Sequence, residues 1–125
     1  MSDFPLPNVS TDLSGQVAFV TGTTSGLGKR FAKVLAACGA KVALTGRRAD
    51  RLESLAEEIR AMGGVCEPIP LDMTSRESIR SALAEATAKL GTVQILVNNA
   101  GIPDAERAIK MTDELTDAVF DTNLV

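Results

Sequence analysis

The run Thr21-Gly22-Thr23-Thr24-Ser25-Gly26-Leu27-Gly28 has the residue types and spacing of a phosphate cradle. Glycine carries no Cβ, so backbone at Gly22, Gly26 and Gly28 can turn tightly and approach an anion closely. An apolar run, Val17-Ala18-Phe19-Val20, precedes the turn. Apolar residues at helical spacing follow it: Leu27, Phe31, Val34, Leu35 and Cys38. Strand, turn and helix in that order aim unbonded helix N–H groups and the positive end of the helix dipole at one spot. Gly22, Gly26 and Gly28 then shape the cradle, while Thr24, Ser25 and the Leu27 N–H donate to phosphate oxygens. A plain helix start capped by Ser25 would use the same residues, and the two roles are compatible. The spacing Gly-x-x-x-Gly-x-Gly differs from the common Gly-x-Gly-x-x-Gly fingerprint. Lys29 and Arg30 follow the last glycine, so the Gly-Lys-Ser/Thr of a P-loop is absent.

Three further clusters close later apolar runs. Arg47-Arg48 follow Leu44-Thr45-Gly46, Asp72 follows Ile69-Pro70-Leu71, and Asn98-Asn99-Ala100-Gly101 follow Ile95-Leu96-Val97. Open α/β sheets bind ligands at the carboxyl ends of their strands, where these clusters would fall. Each also has a structural alternative. The arginines suit a solvated surface, Asp72 suits a helix start near Thr74, and the asparagines suit a turn.

The sequence Thr-Gly-x-x-x-Gly-x-Gly, with Asp72, Asn98-Asn99-Ala100-Gly101 and Asn123 in Phe120-Asp121-Thr122-Asn123-Leu124, resembles the short-chain dehydrogenase/reductase family. The resemblance runs from about Ser14 to the last residue. It implies an oxidoreductase that moves a hydride between a nicotinamide dinucleotide and a small carbonyl or alcohol substrate. By alignment with the family, Gly46 stands where an NAD-binding member places an acid, and Arg47 follows at once. A guanidinium can bind the extra phosphate of NADP through two parallel hydrogen bonds. NADP is therefore the expected cofactor, ahead of NAD. Asp72 would accept the adenine amino group, with the Met73 backbone beside it. Asn99 would pin neighbouring backbone, and Ala100 and Gly101 would let the nicotinamide ribose approach.

The same resemblance implies a Tyr-x-x-x-Lys pair and an orienting serine beyond a fifth strand. This chain contains no tyrosine and no histidine. It reads as the cofactor-binding half of such an enzyme, ending before the fifth strand. Asn123, which in the family anchors a water, carries the one catalytic role that can be assigned. A non-catalytic nucleotide-binding module or an inactive shortened product is the alternative reading.

Positioning these residues requires alternating strands and helices. Strand-like runs lie at about 17–21, 41–45, 65–71 and 94–97, with helical stretches at about 26–38, 50–62 and 75–90. Asp50 with Glu53, and Thr74 with Glu77, have the spacing of capping boxes. Gly39, Gly63-Gly64 and Gly91 follow the helices as stop signals. A last helix is expected near Thr112, with Leu115, Ala118, Val119 and Thr122 turned inward. Alternating βα units with apolar strands predict an α/β fold, a Rossmann-like doubly wound parallel sheet. With the family resemblance, right-handed crossovers give the strand order 3-2-1-4. Residues 1–13 read as an arm and 14–125 as the dinucleotide-binding domain. The fourth strand is expected to form an exposed apolar edge.

Composition narrows the function classes. A net charge of −3 and no basic stripe argue against nucleic acid. No run of 18 apolar residues spans a membrane, and the first residues lack the pattern of a secretion signal. Two cysteines, Cys38 and Cys66, fit a reduced cytoplasmic protein. Cys38, on the apolar stripe of the first helix, is expected as a small core residue. Without histidine or a CxxC pair, no metal site is expected. The family resemblance implies a homo-oligomer in the full-length form.

Overall fold

The computed structural model describes residues 11–24, 26–99 and 113–119. The elements are β1 (Val17–Val20), α1 (Gly26–Ala37), β2 (Lys41–Gly46), α2 (Ala49–Ala61), β3 (Val65–Pro70), α3 (Arg76–Leu90) and β4 (Ile95–Val97). A further helix, α4, spans 113–119. The four strands form one parallel sheet in the order β3-β2-β1-β4, the order that right-handed crossovers and the family resemblance together imply. No described helix is long and apolar enough to cross a membrane.

Side chains alternate across β1, and each face meets its own helical layer. Val17 and Phe19 join Ala43, Ile69, Ile79, Leu83 and Ala86 in one core, completed by Leu115 and Ala118 of α4. Ala18 and Val20 join Val42, Leu44, Leu52, Ile59, Ala32 and Ala36 in the other. Thus α1 and α2 cover one face, and α3 and α4 the other. Burying Phe19, Leu44, Leu83 and residues like them supplies the main stabilisation, roughly 1.5–3 kcal/mol per large side chain.

The inner face of α1 differs from the expected one. Gly28, Ala32 and Ala36 are its buried residues, spaced four apart on one line of the helix. Leu27, Phe31 and Val34 are instead 61%, 37% and 48% exposed, and Cys38 is half-buried. Small residues let the helix axis approach the sheet, and the larger apolar residues lie on the flank. Lys29 and Lys33 reach Glu58 of α2. On a 3.6-residue helix, the Leu27-Phe31-Val34 stripe faces away from that pair.

Helix starts also depart from expectation. Helix α2 begins at Ala49, and its N-cap Arg48 makes no side-chain cap bond, so the Asp50–Glu53 box is not formed. Helix α3 is capped by Ser75, whose hydroxyl accepts from the Ser78 N–H, rather than by Thr74. Thr74 is held instead by Asp72, through its N–H at 2.9 Å and its hydroxyl at 2.6 Å. The stops agree with the sequence: Gly39, Gly63 and Gly91 have φ of 98°, 85° and 113°, a region that favours glycine.

The two sheet edges contrast. The Leu71 N–H donates to the Gly46 carbonyl, and N–H directions alternate along a strand. Pro68 and Pro70 therefore sit where β3 would otherwise present outward donors, which blunts that edge. Strand β4 pairs with β1 on one side, and its residues Ile95, Leu96 and Val97 are all half-buried. Among the described residues it is an edge strand, half-buried rather than exposed as the sequence predicts.

Candidate dinucleotide-binding site

Register brings the chemistry-bearing segments together. Val20, the last residue of β1, lies opposite Leu44 of β2 and Val97 of β4. Gly46 lies opposite Pro70 of β3. The glycine-rich turn, Gly46-Arg47, Asp72 and Asn98-Asn99 thus share one edge of the sheet, its carboxyl edge.

Buried threonine hydroxyls tie these segments to one another. Thr21, Thr23 and Thr45 are fully buried. The Thr21 hydroxyl donates to Asn98 Oδ1 at 3.1 Å and accepts the Asn99 N–H at 2.8 Å. The Thr23 hydroxyl donates to the Thr45 carbonyl at 3.0 Å, and the Thr45 hydroxyl donates to the Val20 carbonyl at 2.7 Å. Buried polar groups cost stability unless they are bonded, and these bonds fix three strand ends relative to the turn. Thr21 and Thr45 carried no role in the sequence. Their signal was a polar residue directly after an apolar run, where a plain surface residue would read alike.

Two of the three turn glycines are required, for different reasons. Gly22 has φ of 67°, a left-handed conformation that glycine adopts without steric cost. Gly28 is required by packing. A Cβ there would lie 2.1 Å from the Gly22 carbonyl oxygen and 2.6 Å from Asn99 Nδ2. Gly26 meets neither constraint: its φ is not left-handed, and a Cβ would have nothing within 4 Å. The space over Gly26 is open at the start of α1. The first N–H groups of a helix, here those of Gly26, Leu27 and Gly28, have no intrahelical acceptor.

At the neighbouring strand ends, the Arg47 guanidinium donates to Asp72 Oδ1 at 3.2 Å. The Asp72 carboxyl is held below its ordinary value, chiefly by the Thr74 hydroxyl and N–H and also by Arg47. Asp72 therefore fills the structural role open to it from sequence, ordering the chain before α3. Its backbone N–H donates to the Ser78 hydroxyl at 2.9 Å. The Met73 side chain packs against the core on the α3 side. The Asn99 amide donates to the Gly22 carbonyl at 3.4 Å. Thr24 stands against the end of β2, 3.0 Å from where a Gly46 Cβ would be. Ser25, Ala100, Gly101 and Asn123 lie outside the described residues. Among the described residues, no group of three metal-ligating side chains occurs.

A family model described as short chain dehydrogenase matches residues 16–125. Nodulation protein G of Rhizobium sp. (strain N33) is 39% identical over 113 residues, covering 90% of this chain and 45% of that protein. A solved 7α-hydroxysteroid dehydrogenase, complexed with NADH and 7-oxo glycochenodeoxycholic acid, superposes with a TM-score of 0.81 at 32% identity. The match covers 87% of this chain and 48% of the other. A metagenomic short-chain oxidoreductase in complex with NADP superposes with a TM-score of 0.77 at 33% identity, covering 87% and 56%. The chain spans less than half the length of the curated relatives it matches. With its sheet order, its turn and these matches, the chain belongs to the short chain dehydrogenase family.

Proposed function

We propose that this chain is the dinucleotide-binding part of an oxidoreductase that prefers NADP to NAD and acts on a small carbonyl or alcohol. The observation that carries the reading is the open space over Gly26, beside two glycines fixed by conformation and packing. Among the described residues nothing crowds a side chain at Gly26, which leaves that room for a ligand. A pyrophosphate suits the place, since it meets unbonded helix N–H groups and the positive end of the dipole. Solved relatives hold NADH or NADP, and the absence of an acid at Gly46 with Arg47 next to it favours NADP.

When bound, the dinucleotide supplies the hydride chemistry. The chain's own residues bind and orient it. Gly22, Gly26 and Gly28 shape the cradle, and Thr24, Ser25 and the Leu27 N–H donate to the phosphates. Asp72 and Met73 border the adenine, and Arg47 reaches the ribose phosphate. Asn99, Ala100 and Gly101 border the nicotinamide ribose, and Asn123 holds a water in the complete site. The protein works in the cytoplasm and as a homo-oligomer in its full-length form.

Gly26→Val tests the reading. The variant is expected to unfold at nearly the temperature of the parent, because its side chain enters open space. It is expected to lose NADPH binding in a fluorescence titration, because that space is the ligand's. A folded Gly26→Val chain that binds NADPH like the parent would refute the assignment.

A further inference from the structure

Arg47 and Asp72 come one and two residues after positions that face each other in the sheet, since Gly46 of β2 lies opposite Pro70 of β3. The Arg47 guanidinium and Asp72 Oδ1 meet at 3.2 Å across the carboxyl ends of these strands, and the two side chains are 70% and 42% exposed. The same Oδ1 accepts the Thr74 N–H and the Thr74 hydroxyl. Three donors thus converge on one oxygen of the carboxylate.

The contacts differ in kind. Thr74 follows Asp72 closely in the chain, and its two bonds, at 2.9 and 2.6 Å, fix the carboxylate before α3. Arg47 adds a single bond from Nη2, on a side chain that lies mostly in solvent. An exposed ion pair of this kind is weak, so a ligand can displace it. Its two members are also the groups placed above at two ends of one adenosine, Asp72 beside the adenine and Arg47 at the ribose phosphate. Without the ligand, each occupies the other.

We propose that Asp72 is a specificity-determining residue that holds Arg47 in the ligand-free protein, competes with the 2′-phosphate of NADP for that guanidinium, and so lowers the preference for NADP over NAD. This rests on the role of Arg47 proposed above. A guanidinium grips an anion with two bonds along either edge of its fork, and Nη2 belongs to both edges. A phosphate held in this way meets Asp72 at one nitrogen. The phosphate monoester carries close to two negative charges at neutral pH, and Thr74 and Arg47 keep the Asp72 carboxyl in its charged form. Two anions side by side repel, so NADP must break the pair. NAD, with a hydroxyl at that carbon, leaves the pair in place.

Calorimetric titration of the 125-residue chain with NADPH and NADH tests the competition. The quantity read is the ratio of the two dissociation constants, in which contacts common to both cofactors, the adenine among them, cancel. Asp72→Asn keeps an oxygen for Thr74 and removes the charge. It is expected to raise the ratio in favour of NADPH about two- to fivefold, the range for an exposed ion pair. In an Arg47→Gln background the same change should leave the ratio as it is, because no guanidinium is left to compete for. Asp72→Ser also offers Thr74 an oxygen without charge, should shift the ratio in the same direction, and serves if Asp72→Asn folds poorly. An equal rise in the Arg47→Gln background would mean that Asp72 acts on the phosphate by charge alone, and would overturn the proposal. An unchanged ratio in a folded variant would overturn it as well. So would a reduced ratio, which would make Asp72 a support for Arg47. A parent chain without preference, in which Asp72→Asn creates one through Arg47, would uphold the competition and overturn the NADP reading. A parent chain that binds neither cofactor would overturn both.

Discussion

The side-chain amide of Asn99 donates to the carbonyl of Gly22, joining the segment after β4 to the turn after β1. The same amide nitrogen stands 2.6 Å from the place a Cβ of residue 28 would take. The start of α1, the turn and the end of β4 are therefore packed against each other through bare glycine backbone. Each of the three holds the others in place.

Gly28→Ala should accordingly be the most damaging single change in the turn. The added methyl meets the Gly22 carbonyl at 2.1 Å, and backbone cannot rotate away as a side-chain end can. A loss of about 3 kcal/mol is expected, at the upper end for overpacking. Urea unfolding of Gly28→Ala beside Gly26→Ala checks this, since Gly26→Ala should stay within about 0.5 kcal/mol of the parent.

On α1, exposure reverses the usual ranking of residue size. Ala32 is fully buried against the sheet, whereas Phe31 is 37% exposed. Ala32→Leu is expected to cost about 1–3 kcal/mol by forcing the helix off the sheet. Phe31→Ser should cost less than that, and less than the 3–5 kcal/mol typical of a buried Phe. Thermal unfolding of the two variants decides it; a larger loss for Phe31→Ser would mean that the stripe is covered.

Arg47→Ala should weaken NADPH by about 1–3 kcal/mol, the range for a hydrogen bond to a charged group, and leave NADH binding nearly as it was. The guanidinium already sits at the strand end, paired with Asp72 and largely exposed, so it can turn to a phosphate without unfolding anything. Parallel titrations with both cofactors check it. The same loss for each would place Arg47 on a part of the ligand that both share.

Acid should destabilise the chain through carboxylates held in their charged form. Asp72 is lowered by Thr74, Glu58 by Lys33, and Asp12 by Ser14. A carboxyl whose folded value lies below its unfolded one stabilises the fold above the unfolded value. That contribution is lost as pH falls through the folded value. The window therefore opens near the ordinary values of 3.8 for Asp and 4.5 for Glu and extends below them. Each contribution is small because the groups are exposed and screened. Melting temperatures should be level from neutral pH to about 5 and fall below it. Asp72→Asn should fall less steeply.

Turnover by the 125-residue polypeptide itself is expected to be undetectable, even with saturating NADPH. Hydride transfer to a carbonyl leaves an oxyanion that must be protonated or stabilised as it forms. The chain holds no tyrosine and no histidine, and Thr24 and Asn99 are not acids near neutral pH. Absorbance of NADPH in the presence of simple ketones and aldehydes should stay constant. Steady oxidation by mass-verified protein would show another group acting as the acid.

Sequence alone determined the order of strands and helices, because the strands are mostly apolar runs and glycines follow α1, α2 and α3. It also marked Gly22, Gly26 and Gly28, Gly46-Arg47, Asp72 and Asn98-Asn99, since each directly follows such a run and a parallel sheet gathers strand ends. The inner face of α1 depended on tertiary structure. Periodicity shows that Leu27, Phe31 and Val34 share a side, but helix-to-sheet distance decided that Gly28, Ala32 and Ala36 face inward. Capping also escaped the sequence. Ser75 and Thr74 are chemically similar, and only the Asp72 carboxylate, by engaging Thr74, left Ser75 to cap α3. The demand on Gly28 arises in part from Asn99, far away in the chain. Local pattern carries no information about such distances, which are set where helices and strands from distant segments close on one another.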